Sequence, residues 1–246
     1  MRPRSRPLRS TPTSWPGPRR PSPTKASDRQ DRARRTDGAW TAAPVYLTVR
    51  SLVRFLLWPY FRTRVYGREH IPIDGPVILA PVHRSNLDSI MLSPLTRRRI
   101  RALAKESLFT VPPLAWVLAS LGAFPVRRET ADRESLRIAQ ELLVDQNLLL
   151  VFPEGTRHEG QQVAELFDGT AWLAARTGSK VVPVGISGTG EAMPTGARFP
   201  RRARVRIVVG PPIQPPDPKA ARSALRNWSD GLAVALQTVQ DEACSA

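Results

Sequence analysis

Two short stretches of this 246-residue chain hold side chains that could act together chemically. In APVHRSNLDSI (Ala80–Ile90), His83 is followed five residues later by Asp88. Within one helix that spacing would turn the two side chains about 140° apart. With His83 in the preceding turn and Asp88 one turn inside the helix, they converge. Asp88 can then accept the proton-bearing ring nitrogen and fix the tautomer, leaving the other nitrogen as a base. A plainer reading stands beside it. Ser85-x-x-Asp88 is also a capping-box pattern, in which the helix dipole favours the acid by roughly 0.3–1 kcal/mol and His83 is only a loop residue.

The second stretch, LLLVFPEGTRHEG (Leu148–Gly160), reads as a buried strand running into Pro153-Glu154-Gly155-Thr156-Arg157. Pro-x-Gly after a strand is by itself a plain turn. An acid, a hydroxyl and an arginine at a strand end are also enough to bind a polyol phosphate, because guanidinium offers a planar, permanently charged fork.

Positioning these residues requires strands. GPVILAPV (75–82), IRALAK (100–105), NLLLVF (147–152), KVVPVGI (180–186) and ARVRIVV (203–209) are the strand candidates. Between them lie helical patterns, among them TADRESLRIAQELLVDQ and GTAWLAARTG, the latter closed by Gly178. Alternating strands and helices indicate an α/β fold, a single domain with a largely parallel central sheet flanked by helices. His83 would then lie just past a strand end, where such folds commonly place their chemistry.

The 37 basic and 21 acidic residues leave a net charge of +16, which points to anionic partners. Eleven of the basic residues, three Asp and seven Pro fall in Met1–Trp40, so residues 1–43 are expected to be a disordered basic tail without the apolar segment of a secretory signal. Residues 44–245 would form the domain. Its first element, 44–62, contains VYLTVRSLVRFLLWPYF, with Arg50 and Arg54 on one face of an amphipathic helix. Such a helix either lies in a membrane interface or packs its apolar side on the core. A last helix is expected at 216–241, opened by Asp217-Pro218. Cys244 is the single cysteine, and His70 and His158 have no partners at ligand spacing, so no metal is expected. Phosphate-binding glycine loops and nucleic-acid motifs are absent, so no nucleic acid is expected as a partner.

Four stretches carry a family resemblance. HRSNLD and FPEGTR match the H-x4-D and F-P-E-G-T-R motifs of the glycerolipid acyltransferases. GAFPVRR (Gly122–Arg128) looks like their G-x-F-x-x-x-R block, and VVPVGISGTGEAMP (Val181–Pro194) like their V-P-V block. The likeness spans Val45–Ile213 and is nearest to the bacterial 1-acylglycerol-3-phosphate acyltransferases. It implies His83 as general base and Asp88 as its orienting partner. It also implies Arg128, Glu154, Gly155, Thr156 and Arg157 in the acceptor site, with Lys105 as a further basic group there. Asp168 departs from the pattern, since many relatives carry a basic residue at that place. The reaction so implied moves a fatty acyl group from acyl-CoA or acyl carrier protein to the free hydroxyl of 1-acylglycerol 3-phosphate, giving phosphatidic acid, with no cofactor. Its setting would be the cytoplasmic face of the cell membrane, peripherally bound to phospholipids. GISGT lacks the last glycine of a nucleophile elbow, so no acyl-enzyme is expected. Another lysophospholipid, glycerol 3-phosphate or a glycolipid as acceptor, or thioester hydrolysis, would use similar parts.

Overall fold

In the computed structural model, which describes residues 25–126, 133–197 and 199–245, seven strands share one sheet. They are β1 (Arg64–Tyr66), β2 (Val77–Pro81), β3 (Ile100–Lys105), β4 (Ala123–Val126), β5 (Leu148–Leu150), β6 (Lys180–Ser187) and β7 (Arg206–Val209). Their order across the sheet is β1-β7-β6-β2-β5-β3-β4, and every pairing is parallel except β6 with β7. All five residues of β2 are buried. A parallel strand covered on both faces has to be apolar throughout, and VILAP is.

The two faces have separate cores. On one, Ile78, Leu149 and Val181 pack with Leu143 of α6 (Arg133–Val144) and Leu173 of α7 (Gly169–Thr177). On the other, Leu79, Leu150 and Val182 pack with Met91 of α4 (Leu87–Leu92) and with Trp58 and Phe61. The last helix, α9 (Arg222–Ser245), contributes Leu232 to the first core and Leu236 to the second. It starts later than expected because Asp217 is used elsewhere. Asp217 Oδ1 accepts the Lys219 N–H at 2.6 Å in a separate turn before the helix.

The expected amphipathic helix is made of α2 (Ala42–Leu52), a π-helical turn (Val53–Leu57) and the short α3 (Trp58–Tyr60). Pro59 explains the wide turn. It has no N–H to give the Phe55 carbonyl and its ring crowds that oxygen. Trp58 N–H therefore reaches back five residues to Val53 O. Tyr46 is buried, and its hydroxyl accepts the Ile100 N–H at 3.1 Å, tying α2 to β3. Trp58 Nε1 donates to Met91 O at 3.1 Å, tying the far end to α4. Leu52, Arg54, Phe55 and Leu56 remain exposed. Among the described residues no helix is long and apolar enough to cross a membrane.

The tail expected at residues 1–43 comprises residues 1–24, which lie outside the described residues, and residues 25–43. Lys25–Asp37 forms a helix, α1, with Ala33 buried against Phe124 and Val126 of the edge strand β4. Its stabilising partners are distant in sequence. Arg29 pairs with Glu106, Arg34 with Glu141, and Asp37 with Arg99 and Arg101. Two strands, β1 and β4, were not anticipated, and the 203–209 candidate is shortened to Arg206–Val209.

Candidate active site

Parallel pairing brings the sequence-predicted residues to one end of the sheet. β2, β5, β3 and β4 are neighbours in that order and run the same way. Leu79, Leu150 and Ala102 stand side by side in register. His83 follows Leu79 by four residues, Pro153 follows Leu150 by three, and Lys105 follows Ala102 by three. All three chain segments therefore leave the sheet at the carboxyl ends of adjacent strands, about 4.8 Å apart per strand. Arg128, which follows β4, lies outside the described residues.

In the His83–Asp88 stretch the two side chains do converge. His83 Nδ1 lies 2.9 Å from Asp88 Oδ2, with side-chain exposures of 7% and 0%. The same oxygen accepts the backbone N–H groups of Arg84 at 2.7 Å and Ser85 at 2.8 Å. Asp88 thus ties the turn before α4 and the imidazole together with one atom. Two main-chain donors fix the carboxylate, so the imidazole meets an acceptor whose position does not depend on it. Asp88 Oδ1 is buried with no partner among the described residues. Such an orphan costs about 1–3 kcal/mol and marks a site where geometry is held against stability. The imidazole also stacks on Phe152, ring centroids 3.8 Å apart and planes 21° apart. Its Nδ1 is engaged, and Nε2 has no hydrogen-bond partner among the described residues.

Glu154, which the resemblance implies in the acceptor site, is 1% exposed. Its Oε2 accepts the His83 N–H at 2.8 Å, its Oε1 accepts the Ala164 N–H at 2.9 Å, and both oxygens take Arg84 Nη1. A carboxylate so occupied holds the two loops together. Arg84 is the matching residue that sequence reasoning passed over. Besides Glu154, it donates to the carbonyls of His83, Gly160 and Gln162. The only available signal was an arginine next to the histidine and an acid in the other motif.

The remaining predicted residues face outward. Gly155, Thr156, Arg157 and Lys105 are exposed. Gly155 has φ +70°, which favours glycine, and the exposed Phe167 ring lies against it. Thr156 Oγ1 lies 3.1 Å from His158 Nε2, and the His158 N–H donates to His83 O at 3.0 Å, which tethers the loop carrying Arg157 to the histidine. Arg157 and Lys105 form no ion pair among the described residues. Asp168, the departure from the family pattern, precedes the first turn of α7.

A cleft of about 420 Å³ lies behind this loop, bordered by Arg84, His158, Glu191 and Cys244. Burial, reinforced by Asp241, pushes the Cys244 thiol above its ordinary value. It is therefore a poor nucleophile. Among the described residues no group of His, Cys, Asp and Glu could hold a metal ion.

Comparison with known proteins gives the chain a family. The Acyltransferase family model matches residues 62–187, just over half of the chain. A chloroplastic 1-acyl-sn-glycerol-3-phosphate acyltransferase of Arabidopsis thaliana is 30% identical over 161 residues, covering 64% of this chain and 45% of the relative. The 1-acyl-sn-glycerol-3-phosphate acyltransferase of Bacillus subtilis is 26% identical over 155 residues, covering 63% and 75%. The chain spans about half the length of several of the curated relatives it matches. Among solved structures, the 1-acyl-sn-glycerophosphate acyltransferase PlsC of Thermotoga maritima superposes with a TM-score of 0.68 at 26% identity, over 85% of this chain and 86% of that one. The family match over both motifs, a fold shared along most of the chain and a buried histidine–aspartate contact agree: the chain belongs to the acyltransferase family.

Proposed function

We propose that this protein is an O-acyltransferase that moves a fatty acyl group from the thioester of acyl-CoA or acyl carrier protein to the free hydroxyl of 1-acylglycerol 3-phosphate, giving phosphatidic acid. The observation that carries this reading is the buried 2.9 Å contact between His83 Nδ1 and Asp88 Oδ2. With Nδ1 bound to the carboxylate, the neutral ring keeps its proton there and presents Nε2 as a base. The acceptor hydroxyl gives its proton to Nε2 as its oxygen attacks the thioester carbonyl. The tetrahedral intermediate then collapses, the C–S bond breaks, and the imidazolium returns the proton to the departing sulfur. No acyl-enzyme is needed. Base catalysis of this kind contributes about 10²–10⁴ in rate. Lys105 and Arg157, exposed at the same end of the sheet, suit a phosphate on the acceptor, and clamping it adds orientation worth several kcal/mol. Arg128 completes that set by resemblance.

The acceptor's acyl chain stays in a bilayer, so the site has to work at a surface. The exposed Phe55 and Leu56 support peripheral attachment, proposed for the cytoplasmic face of the cell membrane. The test is to incubate purified protein with acyl-CoA, or with acyl carrier protein, and a panel of lysophospholipids, glycerol 3-phosphate and glycolipids, and to identify products by mass spectrometry. Phosphatidic acid from 1-acylglycerol 3-phosphate is the expected product. Product on another acceptor alone would move the head group and keep the chemistry, whereas thioester consumed equally fast without acceptor would replace transferase by hydrolase.

A further inference from the structure

Four arginines from three segments of the chain meet beside the amphipathic helix. Arg50 and Arg54 are one helical turn apart on its surface. Arg54 lies over the Trp58 ring at 4.5 Å, and Trp58 bonds Met91 O at the end of α4. Arg68, beyond β1, turns its guanidinium into the same corner, where Nε donates to Leu95 O and Nη2 donates to Pro94 O at 3.1 Å. Arg97 follows that turn by two residues and is exposed.

Among the described residues none of the four forms an ion pair, although other arginines of the chain do. Glu69, the acid nearest Arg68 in sequence, is exposed and likewise forms none. Burial first, and then the neighbouring charges of Arg54, Arg50 and Arg97, push the Arg68 guanidinium below its ordinary value. Crowding like charges costs stability in the free protein, and a bound anion relieves that cost. The outward apolar side chains of the same helix, Leu52, Phe55 and Leu56, are 54%, 72% and 59% exposed. A soluble anion would make no use of them. A bilayer with anionic head groups uses both, the guanidinium groups at phosphate depth and the apolar side chains below it.

We infer that Arg50, Arg54, Arg68 and Arg97 form a head-group site for anionic phospholipid, separate from the acceptor site, which sets the orientation of the protein on the membrane. The inference rests on the peripheral placement proposed above and adds its lipid class and location. Arg68 is the fixed member, held by two carbonyls, and the other three are free to close on a phosphate.

The test is co-sedimentation of the full chain with vesicles of phosphatidylcholine carrying phosphatidylglycerol, neither of them the proposed acceptor, against pure phosphatidylcholine. The variant Arg54→Gln/Arg97→Gln is compared with Lys219→Gln/Arg222→Gln, which removes two exposed charges before and at the start of α9. One cation near an anionic surface is worth about 5-fold in partition, the equivalent of about 1 kcal/mol. The first variant should therefore bind anionic vesicles about 30-fold more weakly at low salt, the second nearly as wild type, and all three alike on phosphatidylcholine. The single Arg97→Gln, outside any helix, should lose about 5-fold and covers the case in which the double variant folds poorly. Turnover of a short-chain soluble acceptor should stay unchanged in each, so failure of the catalytic reading would show separately. Equal weakening in both double variants would mean that only net charge matters, and no weakening would mean that the cluster is not at the membrane. Either result overturns the inference.

Discussion

In the His83–Asp88 loop the charged side chains are buried and partnered across the sheet, whereas Arg50, Arg54, Arg68 and Arg97 stand at the surface without an ion pair among the described residues. The two regions lie at opposite ends of the sheet, His83 past the carboxyl end of β2 and Arg68 and Arg97 beside the turn that precedes β3. The first has been built to hold atoms still: Glu154 and Asp88 together accept from four backbone N–H groups, and Arg84 donates to three carbonyls. The second has been left without counter-charges. Chemistry at one histidine needs fixed geometry, while an anionic surface needs uncompensated charge. The pairing of a charge therefore separates the parts of this molecule that position from the parts that await a partner.

The sharpest way to break that contrast is at His83, the proposed base. Simple truncation is unsuitable, because His83 is 5% exposed and packs on Phe152, so it contributes more to packing than a loop residue would. His83→Gln keeps the volume and should lower kcat by about 10²–10⁴ with the melting temperature nearly unchanged. Asp88→Asn should also lose most activity. A His83→Gln enzyme with more than about a tenth of wild-type turnover would remove the histidine from the mechanism.

Next in size is the pair behind it. Glu154→Gln leaves Arg84 buried and unpaired, a loss of about 3–5 kcal/mol by urea unfolding. If Glu154 instead touched the acceptor, stability would hold and the acceptor KM would rise. On the other side of the comparison, Phe55→Asp/Leu56→Asp should reduce vesicle partition about 10²-fold, taking roughly 1.5 kcal/mol for each apolar side chain. High salt should release the wild type only in part, and complete release by salt alone would make that helix a core element. A smaller change is expected from Arg157→Lys, about 10-fold in acceptor KM for one lost charged hydrogen bond, with donor KM constant. Equal rises in both constants would indicate a structural role. The least effect belongs to Arg34→Gln on α1, whose partner Glu141 is 38% exposed: under about 1 kcal/mol in the same unfolding measurement.

What could be read in the sequence was local. His83 and Asp88 are five residues apart, so their convergence follows from one turn and one helix start, and VILAP announces a strand buried on both faces. The role of Glu154 was not readable, because its partner Arg84 lies 70 residues away and the pairing exists only once β2 and β5 are neighbours. Helix α1 was missed for the same reason. Its composition is that of a solvated tail, and the acids that hold it, Glu106 and Glu141, belong to other elements. β1 and β4 are three and four residues long, too short for periodicity to register.

The strand order also has a consequence during synthesis. β2, the most buried strand, pairs only with β5 and β6, so it has no strand partner until some 70 further residues have been added. At about 5–20 residues per second that wait lasts roughly 4–14 s. During it a wholly apolar segment stays unpaired, a form prone to sticking to other chains. The fold that finally buries His83 and Arg84 therefore obliges the growing chain to pass through an exposed interval. Slowing translation between residues 82 and 148 should lengthen that interval and lower the yield of soluble protein, with the folded enzyme itself unchanged.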